Sequence, residues 1–143
     1  PRSIQKVASG GELSRIALAI KTVTANRDGS PASMVFDEID TGIGGRTAQM
    51  VAERIAMVAA HRQVLCITHL PQIACMADTH LYISKHVIDN QTSTVIHPLT
   101  TGERVNEIAR MASGANVSSA SLDNAREMIA YAGVKKEEYK KNG

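Results

Sequence analysis

Aromatic residues are nearly missing from this chain: no tryptophan, one phenylalanine and three tyrosines leave them at 3% of 143 residues. A core must therefore be packed from aliphatics, alanine and methionine. The scarcity also argues against base-stacking platforms for single-stranded nucleic acid. There are two cysteines, Cys66 and Cys75. Their spacing fits neither a metal site nor a disulfide framework, and they suit a reducing cytoplasm. No transmembrane run, signal peptide or lipidation motif is legible, so no membrane partner is expected. Charge of neither sign dominates: the formal net charge is +2, too small to imply a polyanion partner by itself. A lysine cluster near the end, Lys135, Lys136, Lys140 and Lys141, is interleaved with Glu137 and Glu138. Residues 134–143 read as a solvated, flexible tail. The first residue is Pro1 rather than Met, and structure begins at once, which suggests a piece of something longer.

What the chain does have is ordinary globular material, 43% hydrophobic and 21% charged, enough for one domain spanning 1–143. It is organised around residues 34–45. Met34, Val35 and Phe36 run into Asp37, Glu38 and Asp40, and then into a loop with Gly42, Gly44 and Gly45. A short apolar run bounded by turn residues predicts an interior strand of a mostly parallel sheet, covered by helices on both faces. Ligands bind outside the carboxyl ends of such strands, where these acids stand. Carboxylates so dense repel one another unless a cation neutralises them, and a hard divalent metal such as Mg²⁺ would do so. A plain surface turn, rich in Asp and Gly for backbone reasons, is the alternative.

Upstream, Leu13, Ile16, Ala17, Ile20 and Val23 repeat at helical spacing and predict an apolar stripe. Ser9 and Glu12 stand in capping-box relation at its start. The amides of Gly10 and Gly11 would then lie bare at a helix N-terminus, which either is a plain cap or attracts phosphate. Asn26 to Ala32 reads as a loop. Ala48, Val51, Ala52, Ile55 and Val58 predict a helix over about 46–60, and Gln63 to Thr68 the next strand, ending at His69. Strand, helix and strand make a right-handed parallel crossover that brings His69 to the sheet edge of Asp37 and Glu38. Pro71 opens a short helix over 72–77. His80 to Ser84 and Ser93 to His97, around a turn at Asp89-Asn90, predict an antiparallel hairpin at the sheet's edge. Two helices, about 103–112 and 119–132, end the chain, with Gly114 and Gly133 as their stops.

Ser9-Gly10-Gly11-Glu12, then Met34-Val35-Phe36-Asp37-Glu38, then Ile67-Thr68-His69 resemble, in order, the signature motif, the Walker B strand and the switch histidine of an ABC-type ATPase head. The longer words Ala8 to Arg15, Asp37 to Gly45 and Thr68 to Ala74 are similar to the C-terminal part of the RecN family of bacterial DNA repair proteins, relatives of the SMC proteins. The resemblance covers residues 8 to about 112. It implies the C-terminal half of a P-loop NTPase head, with ATP and Mg²⁺ as cofactors and a nucleoid-associated cytoplasmic setting. Asp37 would hold the metal, Glu38 would polarise the attacking water and His69 would contact the γ-phosphate. Ser9, Gly10, Gly11 and Glu12, the signature residues (8–15), would cap a nucleotide held by an opposite head. The loop 40–45, with Asp40, Gly42 and Gly44, would meet that head. Phosphoryl transfer needs positioning and charge neutralisation more than covalent chemistry, which agrees with these roles.

A P-loop is missing: no glycine here starts Gly-x-x-x-x-Gly-Lys followed by Ser or Thr. No heptad region is present either. The resemblance then implies half a head, inactive without an N-terminal P-loop lobe, acting as a homodimer on broken DNA. Three rivals are a helicase lobe built on Asp37-Glu38-Ile39-Asp40, a metal-dependent nuclease on Asp37, Glu38 and Asp40, and a non-catalytic dimerisation module.

Overall fold

The computed structural model describes residues 9–24, 33–88 and 91–141. The predicted loop at 26–32, the turn at 89–90 and Ala8 lie outside the described residues, as does the side chain of Val23.

Helix α1 (Gly10–Thr24) precedes strand β1 (Ser33–Phe36), helix α2 (Gly45–Ala59) and strand β2 (Gln63–Cys66). β1 and β2 pair in parallel, from Ser33 opposite Gln63 to Phe36 opposite Cys66, so the strand–helix–strand unit forms as its pattern predicts. Met34 and Phe36 face the core at 7% and 5% exposure, under α2, which buries Ala48, Ala52, Ile55, Ala56 and Val58. The small side chains along that stripe let neighbouring backbones approach closely.

The sheet differs from expectation in two ways. Val35, Leu65 and Ile67 are 67%, 49% and 55% exposed, so β1 is covered on one face rather than both. Among the described residues the parallel sheet has two strands. A near-continuous apolar run encodes two covered faces, and the described elements cover one. The hairpin of β3 (Leu81–Ile88) and β4 (Gln91–Pro98) forms a separate antiparallel sheet instead of an edge of the first. The architecture is mixed α/β, with the longer strands in the hairpin rather than in the parallel pair.

α1 turns an unexpected face inward. Leu13, Ile16 and Ile20, the predicted core stripe, are 39%, 48% and 57% exposed. The covered face runs through Gly11, Ser14, Arg15, Leu18 and Thr22, also at helical spacing but mostly small or polar. Side-chain hydrogen bonds and a backbone contact hold that face, and these a hydrophobic pattern does not display.

After β2 come α3 (Pro71–Ala74), the hairpin, α4 (Thr101–Ser113) and α5 (Ser119–Lys141). α3 starts with Pro71 as predicted and is shorter than expected. A capping box joins Thr100 and Glu103 at the start of α4, and Gly114 at φ 77° ends it. α5 does not stop at Gly133: it runs on to Lys141, so most of the segment expected as a tail is helix. A glycine inside a helix costs about 1 kcal/mol. Against that stand buried Ala132, Tyr139 packed on the core, and Lys136 Nζ donating to Ala77 O and Asp78 Oδ1 at 3.2 and 2.9 Å.

Candidate functional site

The chain leaving β1 turns sharply. Glu38 sits at φ 56°, the left-handed region that non-glycine residues seldom adopt. Its carbonyl accepts from Thr41 N at 3.1 Å, and Ile39, fully buried, anchors the turn in the core. Asp37 and Glu38 are exposed, whereas Asp40 is buried. Asp37 Oδ1 accepts from Glu38 N at 2.9 Å, so one oxygen of Asp37 steadies the turn and the other is turned to no described donor. Gly42, at φ 73°, and Gly44, the N-cap of α2, are exposed on the loop that follows.

The start of α1 rests on this turn. The capping box predicted from Ser9 and Glu12 is present: Ser9 N donates to Glu12 Oε2 at 2.7 Å and Glu12 N to Ser9 Oγ at 3.3 Å. The amide and hydroxyl of Ser9 hold the Glu12 carboxyl below its ordinary value. Glu12 is thus engaged with its own helix end. Gly11 is buried, and a Cβ there would come within 2.8 Å of the Glu38 carbonyl and 3.0 Å of Thr41 Cβ. A Cβ on Gly10 would collide with the Glu38 carboxylate. Ser14 Oγ donates to Asp37 O at 2.9 Å, and Arg15 Nη1 to Ile39 O and Thr41 O at 3.1 and 3.0 Å. The glycine pair and the acidic turn, 26 residues apart, therefore form one body.

The other side of the turn is tied to the end of β2. Asp40 Oδ2 accepts from Thr68 Oγ1 at 2.6 Å and His69 N at 2.8 Å, and lies 3.0 Å from His69 Nδ1. Burial pushes the Asp40 carboxyl up, but the Thr68 hydroxyl and the His69 amide and ring outweigh it and hold the group below its ordinary value. The His69 side chain is 72% exposed. Burial and the charges of Asp40 and Asp37 push the Cys66 thiol at the end of β2 up to about 12, so it is no nucleophile at neutral pH.

The three motifs singled out in the sequence thus converge. Gly10 lies against Glu38, and Asp40 against His69. The three carboxylates do not converge, because the strand ends at Phe36 and the backbone reverses at Glu38. Among the described residues no three acidic, histidine or cysteine side chains are grouped to hold a metal, so Asp37, Glu38 and Asp40 do not form a three-carboxylate site. An exposed Asp37 with one oxygen uncommitted does suit Mg²⁺ held jointly with phosphates, since that ion keeps several waters and needs only one or two carboxylates. The amides of Gly10 and Gly11, in the first turn of α1, have no acceptor within the helix and suit an anion.

Ser14, Arg15 and Thr68 carry connections that the sequence reading did not assign. Their signal was available in part, as polar residues interrupting an otherwise apolar helix face and a strand end.

No protein-family model matches the chain. Over 131 residues it is 50% identical to DNA repair protein RecN of Bacillus subtilis, covering 92% of this chain and 23% of that protein. It is 50% identical over 127 residues to DNA repair protein RecN of Deinococcus radiodurans, 89% of this chain and 22% of the relative. The protein of the same name from Haemophilus influenzae is 42% identical over 129 residues, 90% of this chain and 23% of the relative. The chain spans a little under a quarter of the length of the curated relatives it matches.

Proposed function

From its homology to a segment of the DNA repair protein RecN, we propose that this chain is the C-terminal lobe of an ABC/SMC-type ATPase head. It supplies the signature turn, the Walker B acids and the switch histidine for Mg²⁺-dependent ATP hydrolysis where two heads meet. The observation that carries this reading is the convergence of Ser9–Gly11, Asp37-Glu38 and His69 at one end of the β1–β2 pair.

In this reading Asp37 holds Mg²⁺ through its uncommitted oxygen, which neutralises phosphate charge when the ion is bound. Glu38, exposed at the end of the turn, orients and polarises the attacking water, a role worth about 10²–10⁴-fold in rate. The left-handed backbone at Glu38 aims that side chain toward the α1 N-terminus, and strain of this kind is stored at working sites. His69 meets the γ-phosphate from the other side. Ser9, Gly10 and Gly11 present hydroxyl and amides to a nucleotide on an opposite head, with exposed Gly42 and Gly44 at the same interface. Glu12 supports this set by capping α1.

The missing P-loop belongs to an N-terminal lobe of the same protein. That lobe covers the outer face of β1–β2 (Val35, Leu65, Ile67) and the bare stripe of α1 (Leu13, Ile16, Ile20). Exposed apolar area of this extent marks a contact surface. DNA as the target of the whole protein rests on the resemblance and on the name its relatives carry.

The test is ATP turnover with Mg²⁺ by this chain alone and mixed with the P-loop lobe, with Glu38→Gln as control. Turnover in the mixture only, lost in the variant, is expected. Turnover by the chain alone, also lost with Glu38, would overturn the half-head reading.

A further inference from the structure

We propose that Arg15 is a positioning residue: by bonding the two carbonyls that flank Asp40 it holds the 37–41 turn in the conformation that presents Glu38. The proposal rests on the reading of Glu38 as the residue that polarises the attacking water, and adds how that side chain is kept in place.

A backbone that reverses at Glu38 has no ladder to satisfy its polar groups, and a carbonyl left without a donor is costly wherever water is excluded. The carbonyls of the turn divide into two sets. Those of Glu38 and Asp40 accept from amides of the same turn, Thr41 N at 3.1 Å and Ile43 N at 3.3 Å. Those of Asp37, Ile39 and Thr41 accept from side chains of α1, Ser14 Oγ at 2.9 Å and Arg15 Nη1 at 3.1 and 3.0 Å. Half-buried Arg15 thus supplies the donor for Ile39 and Thr41 alike. Both bonds leave one nitrogen, which carries two N–H groups and accepts nothing. That nitrogen also lies beside Gly11, where a Cβ would come within 3.1 Å of it, so the guanidinium is fixed between the helix start and the turn.

What the clamp holds matters for the site. Glu38, at φ 56°, sits in a region that a non-glycine residue keeps only where surrounding contacts impose it. Ile39 beside it is fully buried, and Thr41 N closes the turn onto the Glu38 carbonyl. From the opposite side the Asp40 carboxylate accepts from Thr68 Oγ1 and His69 N at 2.6 and 2.8 Å. Residues 39–41 are therefore gripped through main-chain carbonyls toward α1 and through a side chain toward the end of β2, and Arg15 is the α1 half of that grip. With Arg15 lost, the carbonyls of Ile39 and Thr41 turn to water and the turn loosens. Glu38 is then free to leave its left-handed state, and its carboxylate no longer stays against Gly10. Because Arg15 acts through the turn, its loss lowers the rate of the chemical step more than the affinity for ATP.

The experiment compares the full-length protein with its Arg15→Met, Arg15→Lys and Glu38→Gln variants, by steady-state ATP turnover with Mg²⁺ and by hydrogen exchange in peptides covering residues 38–43. Glu38→Gln tests the reading beneath the proposal and is expected to abolish turnover. Arg15→Met keeps an unbranched side chain and removes its donors. Its kcat is expected to fall by up to about 10²-fold, the cost of a small misplacement, with KM changed far less and exchange at 38–43 accelerated. Arg15→Lys, which returns N–H donors on a shorter stem, should recover part of kcat and part of the protection. Wild-type kcat in Arg15→Met, with Glu38→Gln inactive, overturns the proposal and leaves Glu38 its role. A loss of kcat with exchange at 38–43 unchanged overturns it as well, because the effect then bypasses the turn; so does a raised KM at unchanged kcat. Turnover intact in Glu38→Gln overturns the reading of Glu38 and the proposal with it. If Arg15→Met fails to fold, Arg15→Lys is judged by the same two readouts: kcat and protection lowered together support the clamp, and either one at its wild-type value overturns it.

Discussion

α1 and the α4–α5 pair are both amphipathic by sequence, yet the fold holds them by different means. α4 and α5 pack on each other and on the core through Ile108, Ala109, Ala125 and Ala132, all fully buried. Among the described side chains α1 buries Leu18 alone of its large apolar residues and leaves Leu13, Ile16 and Ile20 exposed. Its attachment is polar: Ser14 and Arg15 donate to three carbonyls of the acidic turn, and Gly11 lets the two backbones touch. The difference teaches that a helix can be positioned by polar contacts to a later turn while its apolar stripe stays exposed. The site is built on the polar attachment, and the stability on the apolar one.

The largest test of that contrast is Ile108→Ala, which opens a cavity in the fully buried side of α4. A loss of about 2–5 kcal/mol is expected in denaturant unfolding of this chain; a loss below 1 would mean that α4 is not a core element. Gly11→Ala should come next. Its Cβ meets the Glu38 carbonyl, a backbone atom that cannot swing away, so a loss of about 1–3 kcal/mol is expected, together with weaker amide-exchange protection in 37–41. If both stay at wild-type values, α1 does not rest on the turn.

A third, smaller effect concerns acid. The Asp40 carboxyl is held below its ordinary 3.8 in the folded chain, so its contribution is present above that value and is lost as pH falls through the lowered folded value. In Asp40→Asn this part of the acid limb should vanish from a stability-versus-pH curve. An identical limb would place the titration elsewhere. The smallest effect is expected at Ile20→Ser, 57% exposed in the wild type. Stability of this chain should shift by no more than about 0.5 kcal/mol, while association with the P-loop lobe should weaken. A large loss in the isolated chain would show that the stripe is buried after all.

Much of the fold was legible because local signals agreed with it. The parallel crossover, the capping box at Ser9 and Glu12, the start of α3 at Pro71 and the stop at Gly114 all appear where spacing and turn chemistry put them. The misses share a cause. Gly133 reads as a stop, yet contacts of Ala132, Lys136 and Tyr139 outweigh its local preference. The α1 stripe reads as core, but periodicity reports only that a face is apolar, not what covers it. Three neighbouring acids read as one cluster, until a left-handed residue at 38 sends Asp40 inward.

By itself the sequence determined on which elements the candidate residues stand: the glycine pair at a helix start, Asp37 and Glu38 at a strand end, His69 at the next. These depend on short-range spacing, which a chain fixes before it folds. The tertiary structure alone decided how they are joined. Asp40 under His69 and Arg15 across the turn are contacts between residues 29 and 26 positions apart. Such contacts follow from how backbones pack and turn, and the periodicity of any one segment does not contain them.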